Sequence, residues 1–337
     1  MMNKKRDLGL VGFGAMGQAH ARQLQHLNSA NVRVVVESNP RGRESAAEFY
    51  KNQDVQIFEN LDEAFKRELP LGWVVASSTA SHIPLTKKLL EAGSTVLLEK
   101  PIASTFAEAR ELHSLVQKDS ANLMMGHILL WHREFLAFKG ALLGLGKLRT
   151  IRASRQRSQD HRLKYPSESP LTLTMIHDLY SVYSLISGAT PNHFSAQHRE
   201  HKDGGIDLVH AQLAWDDNLF ASFEANFLVP NGIDGGGNID ELSAACDHGM
   251  VRLSYESGML NVIREGSTEF KELLYPANPD VDNFFDDALR SELQFFIELL
   301  EGRALVPIGA RYQDACDMQQ WIENLKQSSE SGVTQKC

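Results

Sequence analysis

Short apolar runs alternate with amphipathic stretches over the first third of the chain. The runs are rich in β-branched residues, and between them apolar positions recur at helical spacing. This alternation is typical of βαβ units and predicts a parallel sheet with flanking helices. The predicted strands are Leu8–Val11, Val32–Val36, Trp73–Ala76, Thr95–Leu98 and Asn122–Met125, and the predicted helices are Gly17–Leu27, Arg43–Tyr50, Leu61–Glu68, Leu85–Ala92 and Phe106–Lys118.

The pattern changes after about Gly126, where one or two helices lead into strands separated by polar or glycine-rich turns. Such a pattern favours a mostly antiparallel open sheet, so the predicted fold class is α/β with two different domains. We expect a parallel-sheet domain over 1–125, a second α/β domain over 126–327 and a flexible tail over 328–337. In the second domain the predicted strands are Leu148–Arg155, Leu208–Ala214, Leu219–Phe227, Leu242–Ala245 and Met250–Tyr255, the predicted loop is Asn231–Asn238, and the predicted helices are Phe284–Leu300 and Tyr312–Gln327.

Charge and composition narrow the class of protein. The 337 residues carry a formal net charge of -9, which disfavours nucleic-acid binding because no global positive field attracts a phosphate backbone. No apolar run is long enough to span a bilayer, so we expect a protein that does not bind membranes. Three widely spaced cysteines suit neither a disulfide framework nor a metal site, and a reducing cytoplasm fits best.

A glycine-rich turn follows the first predicted strand directly and opens a helix. In this context Gly12 allows a tight turn, Gly14 lets the backbone approach a pyrophosphate, and Gly17 lets helix and strand pack closely. The helix N-terminus offers N–H groups to the pyrophosphate. The turn therefore predicts a Rossmann dinucleotide site that also includes Phe13, Ala15 and Met16, although a glycine-rich turn of another α/β protein is the alternative.

The second predicted strand ends at Glu37, 20 residues after Gly17. An acidic side chain there can accept hydrogen bonds from the adenosine ribose and repels a 2'-phosphate, which favours NAD as the cofactor. Ser38, Arg41 and Arg43 lie just beyond and could instead bind the extra phosphate of NADP. The arginines could equally serve only as solvated residues at a helix start.

The segment Val96–Pro101 resembles the Glu-Lys-Pro signature of the glucose-fructose oxidoreductase, inositol dehydrogenase and rhizopine-catabolism (Gfo/Idh/MocA) family. The glycine-rich turn and His20 in the helix after it add to the resemblance, which covers the chain from Lys5 to about Leu325. It implies an NAD(P)-dependent oxidoreductase that forms a homodimer or homotetramer. Further cofactor-binding residues implied by it are Ser77, Ser78, His82, Glu99, Lys100 and Pro101, with Pro101 following a cis peptide.

Lys100 is the first candidate catalytic residue. A lysine at the carboxyl end of a parallel strand, fixed by a following proline, points into the crevice where ligands of such sheets bind. It can donate a hydrogen bond to a substrate hydroxyl and stabilise the alkoxide as hydride leaves. The alternative is a surface lysine paired with Glu99.

The second candidate catalytic residue is His177, because Thr174–Leu179 looks like the family's helix that presents a histidine to the substrate. Imidazole titrates near neutral pH and can exchange a proton with the reacting oxygen. Family members usually carry an aspartate four residues earlier, but here that position is Leu173, so we expect His177 to lack an orienting partner. Asp178 is expected to make a structural contact.

Four further residues are weaker candidates for substrate contact. His127 belongs to a Gly-His segment that resembles relatives acting on nucleotide-linked or acetylated amino sugars, and Trp131 could stack on a sugar face or simply pack. His161 and Tyr165 lie in a polar loop, where binding residues concentrate.

The leading functional hypothesis is transfer of hydride between nicotinamide and a hydroxyl or carbonyl of a sugar, polyol or sugar derivative. A second enzyme hypothesis is an imine or enone reductase, in which solvent protonates the product. A third is a non-enzymatic dinucleotide-binding sensor, which Leu173 supports and the intact Glu99-Lys100-Pro101 signature opposes. Fold alone does not decide among them.

Overall fold

The computed structural model describes residues 5–67, 70–166, 168–231, 238–267, 271–274 and 284–336. Two compact units divide the chain, one of 1–131 with 280–319 and one of 132–279 with 320–337. Most of the predicted loop Asn231–Asn238 and the last residue of the predicted helix Leu61–Glu68 lie outside the described residues.

The first unit is built on a six-stranded parallel sheet with the strand order β3-β2-β1-β4-β5-β6. This order is the doubly wound Rossmann arrangement, in which ligands bind outside the carboxyl ends of the strands. Its strands are β1 (Arg6–Val11), β2 (Ala30–Val36), β3 (Gln56–Phe58), β4 (Gly72–Val75), β5 (Thr95–Glu99) and β6 (Leu123–Gly126), and its helices are α1 (Ala15–Gln25), α2 (Pro40–Phe49), α3 (Leu61–Ala64), α4 (Thr79–Glu91) and α5 (Phe106–Ala109).

Burial on both faces explains why these strands are nearly continuous apolar runs. All four residues of β4 are buried, and Trp73 is fully enclosed. Gly9 in β1 lies against the Trp73 ring, since a Cβ at this glycine would stand 2.2 Å from Trp73 Cε3. The glycine thus gives the indole its place in the core.

The second unit contains a nine-stranded sheet in the order β14-β13-β12-β11-β7-β10-β9-β8-β15. Every pairing in it is antiparallel except that of β7 with β10, which confirms the predicted α/β fold with a mostly antiparallel second sheet. The strands are β7 (Leu148–Ser158), β8 (His193–Glu200), β9 (Ile206–Ala214), β10 (Phe220–Val229), β11 (Ile239–Cys246), β12 (Gly249–Ser254), β13 (Met259–Arg264), β14 (Lys271–Leu274) and β15 (Gln335–Lys336), and the helices within this unit are α6 (Arg133–Ala141), α7 (Asp160–Lys164) and α8 (Ile176–Leu185).

Two late helices make the first unit discontinuous in sequence, which differs from the expected domain 1–125. Helix α9 (Phe284–Leu300) packs against α1, where Arg290 Nε donates to Gln23 Oε1 at 3.1 Å. The following segment pairs with β6 through a bridge between Met124 and Arg311. Helix α10 (Tyr312–Ser331) then begins in the first unit, and its residues from 320 onward belong to the second.

The end of the chain also differs from the flexible tail expected over 328–337. Helix α10 continues to Ser331, and β15 pairs with β8. Ser328 is buried, and its Oγ accepts a hydrogen bond of 3.1 Å from the backbone N–H of Ala196. These contacts order residues whose small and polar side chains alone favoured fraying.

Candidate functional site

The glycine-rich turn lines a cavity of about 930 Å³ at the carboxyl ends of the parallel strands of the first unit. Gly12 has φ +91°, and a Cβ there would stand 2.5 Å from the carbonyl oxygen of Ala76, so both conformation and space require glycine. A Cβ at Gly17 would collide with Gly12 O, whereas one at Gly14 meets no heavy atom within 4 Å. The backbone at Gly14, at the N-terminus of α1, is therefore accessible to a pyrophosphate group.

Glu37 connects this turn to the start of α2. Its Oε2 accepts from the backbone N–H of Phe13 at 2.6 Å, and its Oε1 accepts from that of Asn39 at 2.7 Å. Carboxylate oxygens retain further acceptor capacity, so the side chain can still receive ribose hydroxyls. Gly42 makes room for it, because a Cβ there would stand 2.6 Å from Glu37 Cγ.

The two arginines beyond β2 differ in their placement. Arg41 lines the cavity together with Ser38. Arg43 instead donates from one terminal nitrogen to the carbonyl oxygens of Glu37 and Ser38, at 3.0 and 2.7 Å, and is not among the residues that line the cavity. Arg43 thus fixes the backbone at the end of β2.

Ser77 and Ser78 lie after β4 and line the same cavity. His82 lies behind them, buried, with Nδ1 bonded to Pro101 O at 2.7 Å and Nε2 3.2 Å from Ser77 O. Burial lowers the pKa of His82 and favours the neutral ring. The side chain therefore ties the turn after β4 to the turn after β5 and does not itself line the cavity.

The Glu99-Lys100-Pro101 segment ends β5, and the Lys100–Pro101 peptide is cis, which confirms that expectation. Glu99 is buried, and its Oε1 lies 2.7 Å from Nε2 of His20. Its Oε2 accepts from the backbone N–H of Lys100 at 3.3 Å. Burial acts to raise the pKa of Glu99, but the hydrogen bond and charge of His20, together with the charges of Lys100 and His82, hold that pKa below its usual value.

This arrangement does not match the surface Glu99–Lys100 pair that was the alternative interpretation. The carboxylate of Glu99 lies inside the first unit against α1, and Gly126 lies close to it, since a Cβ there would be 3.2 Å from Glu99 Cδ. Glu99 thus accepts a hydrogen bond from the backbone N–H of Lys100, whose side chain is half-buried.

His127 and Trp131 both pack inside the first unit. His127 is 1% exposed, its Nδ1 donates to Gly309 O, and burial lowers its pKa to about 4. The ring of Trp131 packs on Phe295 of α9 at an interplanar angle of 42°, with centroids 4.4 Å apart. Packing was one of the two roles expected for Trp131, and its contact with α9 shows that role. Substrate contact by His127 stays a prediction.

His177 has a hydrogen-bond partner, which corrects the expectation that Leu173 leaves it without one. Its Nδ1 lies 2.6 Å from the hydroxyl oxygen of Tyr180, one helical turn further along α8. A π-helical turn over Leu171–Met175 precedes α8 and contains the position where relatives carry aspartate. The i, i+3 spacing of histidine and tyrosine is the signal that sequence analysis missed.

Asp178 makes the structural contact that was expected. It is buried, and its Oδ1 accepts from Nε of the buried Arg155 at 3.0 Å. The same guanidinium donates to Asp240 at 2.9 Å. Burial raises the pKa of Asp178 to about 6, although the charge of Arg155 opposes this shift.

His161 and Tyr165 lie together on and after α7, with ring centroids 6.1 Å apart. His161 also stacks on Phe227, and burial with the charges of Arg157 and Lys164 lowers its pKa. Both rings belong to the second unit, and neither residue is among those that line the cavity at the glycine-rich turn.

Most of the predicted cofactor-binding residues line the cavity, but some do not. Lining residues that sequence analysis predicted are Gly12, Phe13, Gly14, Ala15, Met16, Glu37, Ser38, Arg41, Ser77 and Ser78, while Gly17, His82, Glu99, Lys100 and Pro101 lie outside the lining. Asn39 was missed, although an asparagine before Pro40 is a helix-start signal, and its side chain does accept from the N–H groups of Arg41 and Gly42.

In the described part of the chain, no helix is both long and apolar enough to cross a membrane. Among the same residues, no group of three or more His, Cys, Asp or Glu side chains is placed to hold a metal ion.

Comparison with known proteins places residues 6–127 in a family described as "Oxidoreductase family, NAD-binding Rossmann fold" (GFO_IDH_MocA). Biliverdin reductase A of Mus musculus is 28% identical over 192 residues, 56% of this chain and 63% of that protein. Inositol 2-dehydrogenase of Corynebacterium glutamicum strain R is 26% identical over 136 residues, 40% of each chain. The chain thus matches less than two thirds of the length of these relatives.

Similarity of fold extends over the whole chain. The crystal structure of apo scyllo-inositol dehydrogenase from Lactobacillus casei superposes with a TM-score of 0.82 and 19% sequence identity, covering 100% of this chain and 99% of that one. At this identity the match shows a shared fold.

Proposed function

Through residues 6–127 this chain belongs to the Gfo/Idh/MocA family of NAD-binding oxidoreductases, and on that premise we propose that it is an NAD-dependent dehydrogenase. The proposed reaction transfers hydride between the nicotinamide and a hydroxyl or carbonyl group of a sugar, a polyol or a sugar derivative. The similarity to inositol 2-dehydrogenase over 40% of the chain supports this substrate class.

One observation carries the proposal. Strands β1, β4 and β5 are parallel neighbours, so their carboxyl ends lie at one edge of the sheet. The glycine-rich turn follows β1 and Lys100 follows β5, so the backbone of both lies at the edge of the sheet that carries the cavity, although Lys100 is not among the residues that line it. A cation there suits an oxygen that gains negative charge as hydride moves.

Each catalytic residue has a separate task in this proposal. Lys100 donates a hydrogen bond to the substrate oxygen. His177 takes the hydroxyl proton during oxidation and returns it during reduction. The bound nicotinamide supplies the hydride acceptor or donor. Oxidation of one CH–OH group thus releases one hydride and one proton and leaves a carbonyl.

NAD is preferred over NADP in this proposal. Phe13 and Asn39 hold the carboxylate of Glu37 beside the cavity through their backbone N–H groups, where it repels a 2'-phosphate. Arg43, one of the two candidate partners of such a phosphate, is instead bonded to backbone carbonyl groups.

The test is calorimetric titration of the purified protein with NAD, NADH, NADP and NADPH, followed by a substrate screen at the nicotinamide absorbance. The screen contains inositols, free sugars, sugar phosphates, sugar acids and nucleotide sugars. Turnover of at least one of these with NAD supports the proposal. Cofactor binding with no turnover of any hydroxyl or carbonyl compound contradicts the proposed substrate class.

A reductase of a conjugated imine or enone is the second candidate. The similarity to mouse biliverdin reductase A, over 56% of the chain, favours it. Leu173 at the usual aspartate position also fits a reaction in which solvent supplies the proton. Linear tetrapyrroles and cyclic imines in the screen, with NADH and NADPH, separate this candidate from the first, and a sensor would turn over neither set.

We also propose a homodimer or homotetramer that forms through the open face of the second sheet. Helix α6 packs against β12 and β13. The opposite face of the sheet exposes Phe220, Ile239 and Ile263, which are 57%, 40% and 39% accessible. Light scattering of the wild type and of Phe220→Glu tests this, and a monomer at micromolar concentration in the wild type contradicts it.

A cytoplasmic location completes the proposal. The described cysteines, Cys246 and Cys316, carry free thiols, which suits a reducing compartment.

A further inference from the structure

Tyr180 lies against the ring of His177 in a defined geometry. The hydroxyl oxygen and Nδ1 are 2.6 Å apart, and the two rings meet edge to face at 73° with centroids 5.6 Å apart. The side chain of Tyr180 is fully buried, while His177 is partly exposed. The buried Tyr180 thus holds Nδ1 of the His177 ring, and Nε2 lies on the side of the ring away from Tyr180.

The local backbone explains how the two side chains meet. Residues three apart on an α-helix are neighbours on one face, and α8 begins at Ile176, directly before His177. The π-helical turn over Leu171–Met175 precedes this helix, and such turns are frequent at functional sites. Ser181 Oγ donates to His177 O at 2.7 Å and fixes the backbone on the other side.

We propose that Tyr180 is the positioning residue of His177 and takes the place of the carboxylate that Leu173 lacks. The inference rests on the proposed function, because it assigns to His177 the proton exchange with the substrate oxygen. With Nδ1 engaged by Tyr180, Nε2 is the nitrogen that performs the exchange. The bond made by one ring nitrogen sets the role of the other.

The proton balance fits this geometry. During oxidation, Nδ1–H donates to the tyrosine oxygen, and the lone pair of Nε2 takes the hydroxyl proton of the substrate while the C–H electron pair leaves as hydride to NAD. The imidazolium formed keeps its Nδ1–H bond to Tyr180. During reduction, Nε2 returns the proton to the carbonyl oxygen as hydride arrives from NADH.

A hydroxyl differs from a carboxylate as a partner because it can both accept and donate. Tyr180 therefore keeps its bond when the neutral ring carries its proton on either nitrogen. Tyr180 interacts electrostatically with the buried Arg155, which pairs with Asp178 and Asp240, and Arg157 also pairs with Asp240. The cluster also contains the buried phenol of Tyr255, and the Arg155 guanidinium lies over its ring at 5.4 Å from the centroid.

The experiment compares Tyr180→Phe with Tyr183→Phe in the full-length protein. Tyr183 lies on the same helix and packs on Trp321 with centroids 5.5 Å apart, so its substitution is a matched control. Histidine-selective ¹⁵N labelling follows the Nδ1–H proton of protonated His177 by NMR. We expect a downfield, slowly exchanging proton in the wild type and in Tyr183→Phe, and its loss in Tyr180→Phe.

On a substrate found in the screen, we expect Tyr180→Phe to lower kcat by at least about tenfold, with KM and NAD affinity nearly unchanged. The spectroscopic result does not need a substrate, so it stands if the proposed function fails. Retention of the protected Nδ1–H proton in Tyr180→Phe overturns the inference. A lost bond with wild-type kcat also overturns it, whereas loss of both supports it.

Discussion

Glu37 Oε2 accepts a hydrogen bond of 2.6 Å from the backbone N–H of Phe13. The acidic residue that sequence analysis assigned to the adenosine ribose therefore also braces the glycine-rich turn. Shape and specificity of the cavity thus depend on one side chain, and substitution of Glu37 is expected to affect both.

Glu37→Gln is expected to narrow the preference for NAD over NADP by roughly tenfold, about 1.4 kcal/mol. The amide keeps the size of the side chain but removes the charge that repels a 2'-phosphate. Calorimetry with both cofactors measures the ratio. Glu48→Gln on α2 is the control, since Glu48 pairs with Lys51 outside the cavity lining. A wild-type preference for NADP would show that Arg41 outweighs Glu37.

Gly42→Ala is expected to weaken NAD binding by about tenfold while the protein stays folded. The new Cβ would stand 2.6 Å from Glu37 Cγ and must displace that side chain. Gly140→Ala in α6 is the matched control, because a Cβ there meets nothing within 4 Å. This control should gain about 0.5–1 kcal/mol of stability from helix propensity and leave NAD affinity unchanged. Equal NAD affinity in both variants would argue against a ribose-binding role for Glu37.

Lys100→Met is expected to lower kcat by roughly a hundredfold or more and to change NAD affinity little. The ammonium stabilises charge that develops only as hydride moves, so the transition state loses more than the bound substrate. Steady-state kinetics and calorimetry together separate the two effects. The control is Lys87→Met on the exposed side of α4. Near-normal turnover of Lys100→Met would refute the proposed role.

Glu292→Gln is expected to stabilise the protein at neutral and alkaline pH. Glu292 is fully buried, and burial together with the charge of Glu99 raises its pKa well above the usual 4.5. Between that value and its folded pKa, the folded state holds a proton that the unfolded state has released, so stability falls as pH rises, by at most about 1.4 kcal/mol per pH unit.

Denaturant unfolding at several pH values measures this slope. The Gln variant should lack it, whereas Glu298→Gln, at a partly exposed position of the same helix, should keep it. Identical slopes in the wild type and in Glu292→Gln would mean that Glu292 is ionised in the folded protein.

The parallel sheet was predictable because buried strands are short apolar runs with strong turn signals between them. Strand β3 was missed, since Gln56 is exposed, Ile57 and Phe58 are only partly buried, and the three residues form no apolar run. Strand β8 was missed for a related reason: only two of its eight residues, Phe194 and Ala196, are buried. Strand β3 lies at the edge of its sheet, and β8 pairs on its outer side only with the two-residue strand β15, so most side chains of both strands can be polar.

Sequence also located the cavity better than it located the partners of the titratable residues. Gly12, Gly14 and Glu37 could be predicted because backbone geometry demands particular residue types at fixed spacing. The pairing of Glu99 with His20 joins residues 79 positions apart and depends on how α1 packs against the sheet. The packing of Trp131 depends on α9 in the same way.

Helix α9 covers α1 only after the chain has passed through nearly the whole of the second unit. During synthesis, the part of the apolar surface of the N-terminal segment that α9 later covers therefore stays exposed until α9 has been made. The first unit is therefore completed only after residues 132–279 of the second unit have been made. A fragment that ends near Trp131 would keep the nucleotide-binding turn but expose the surface that Phe295 covers, so truncation at the end of this segment does not yield the whole first unit.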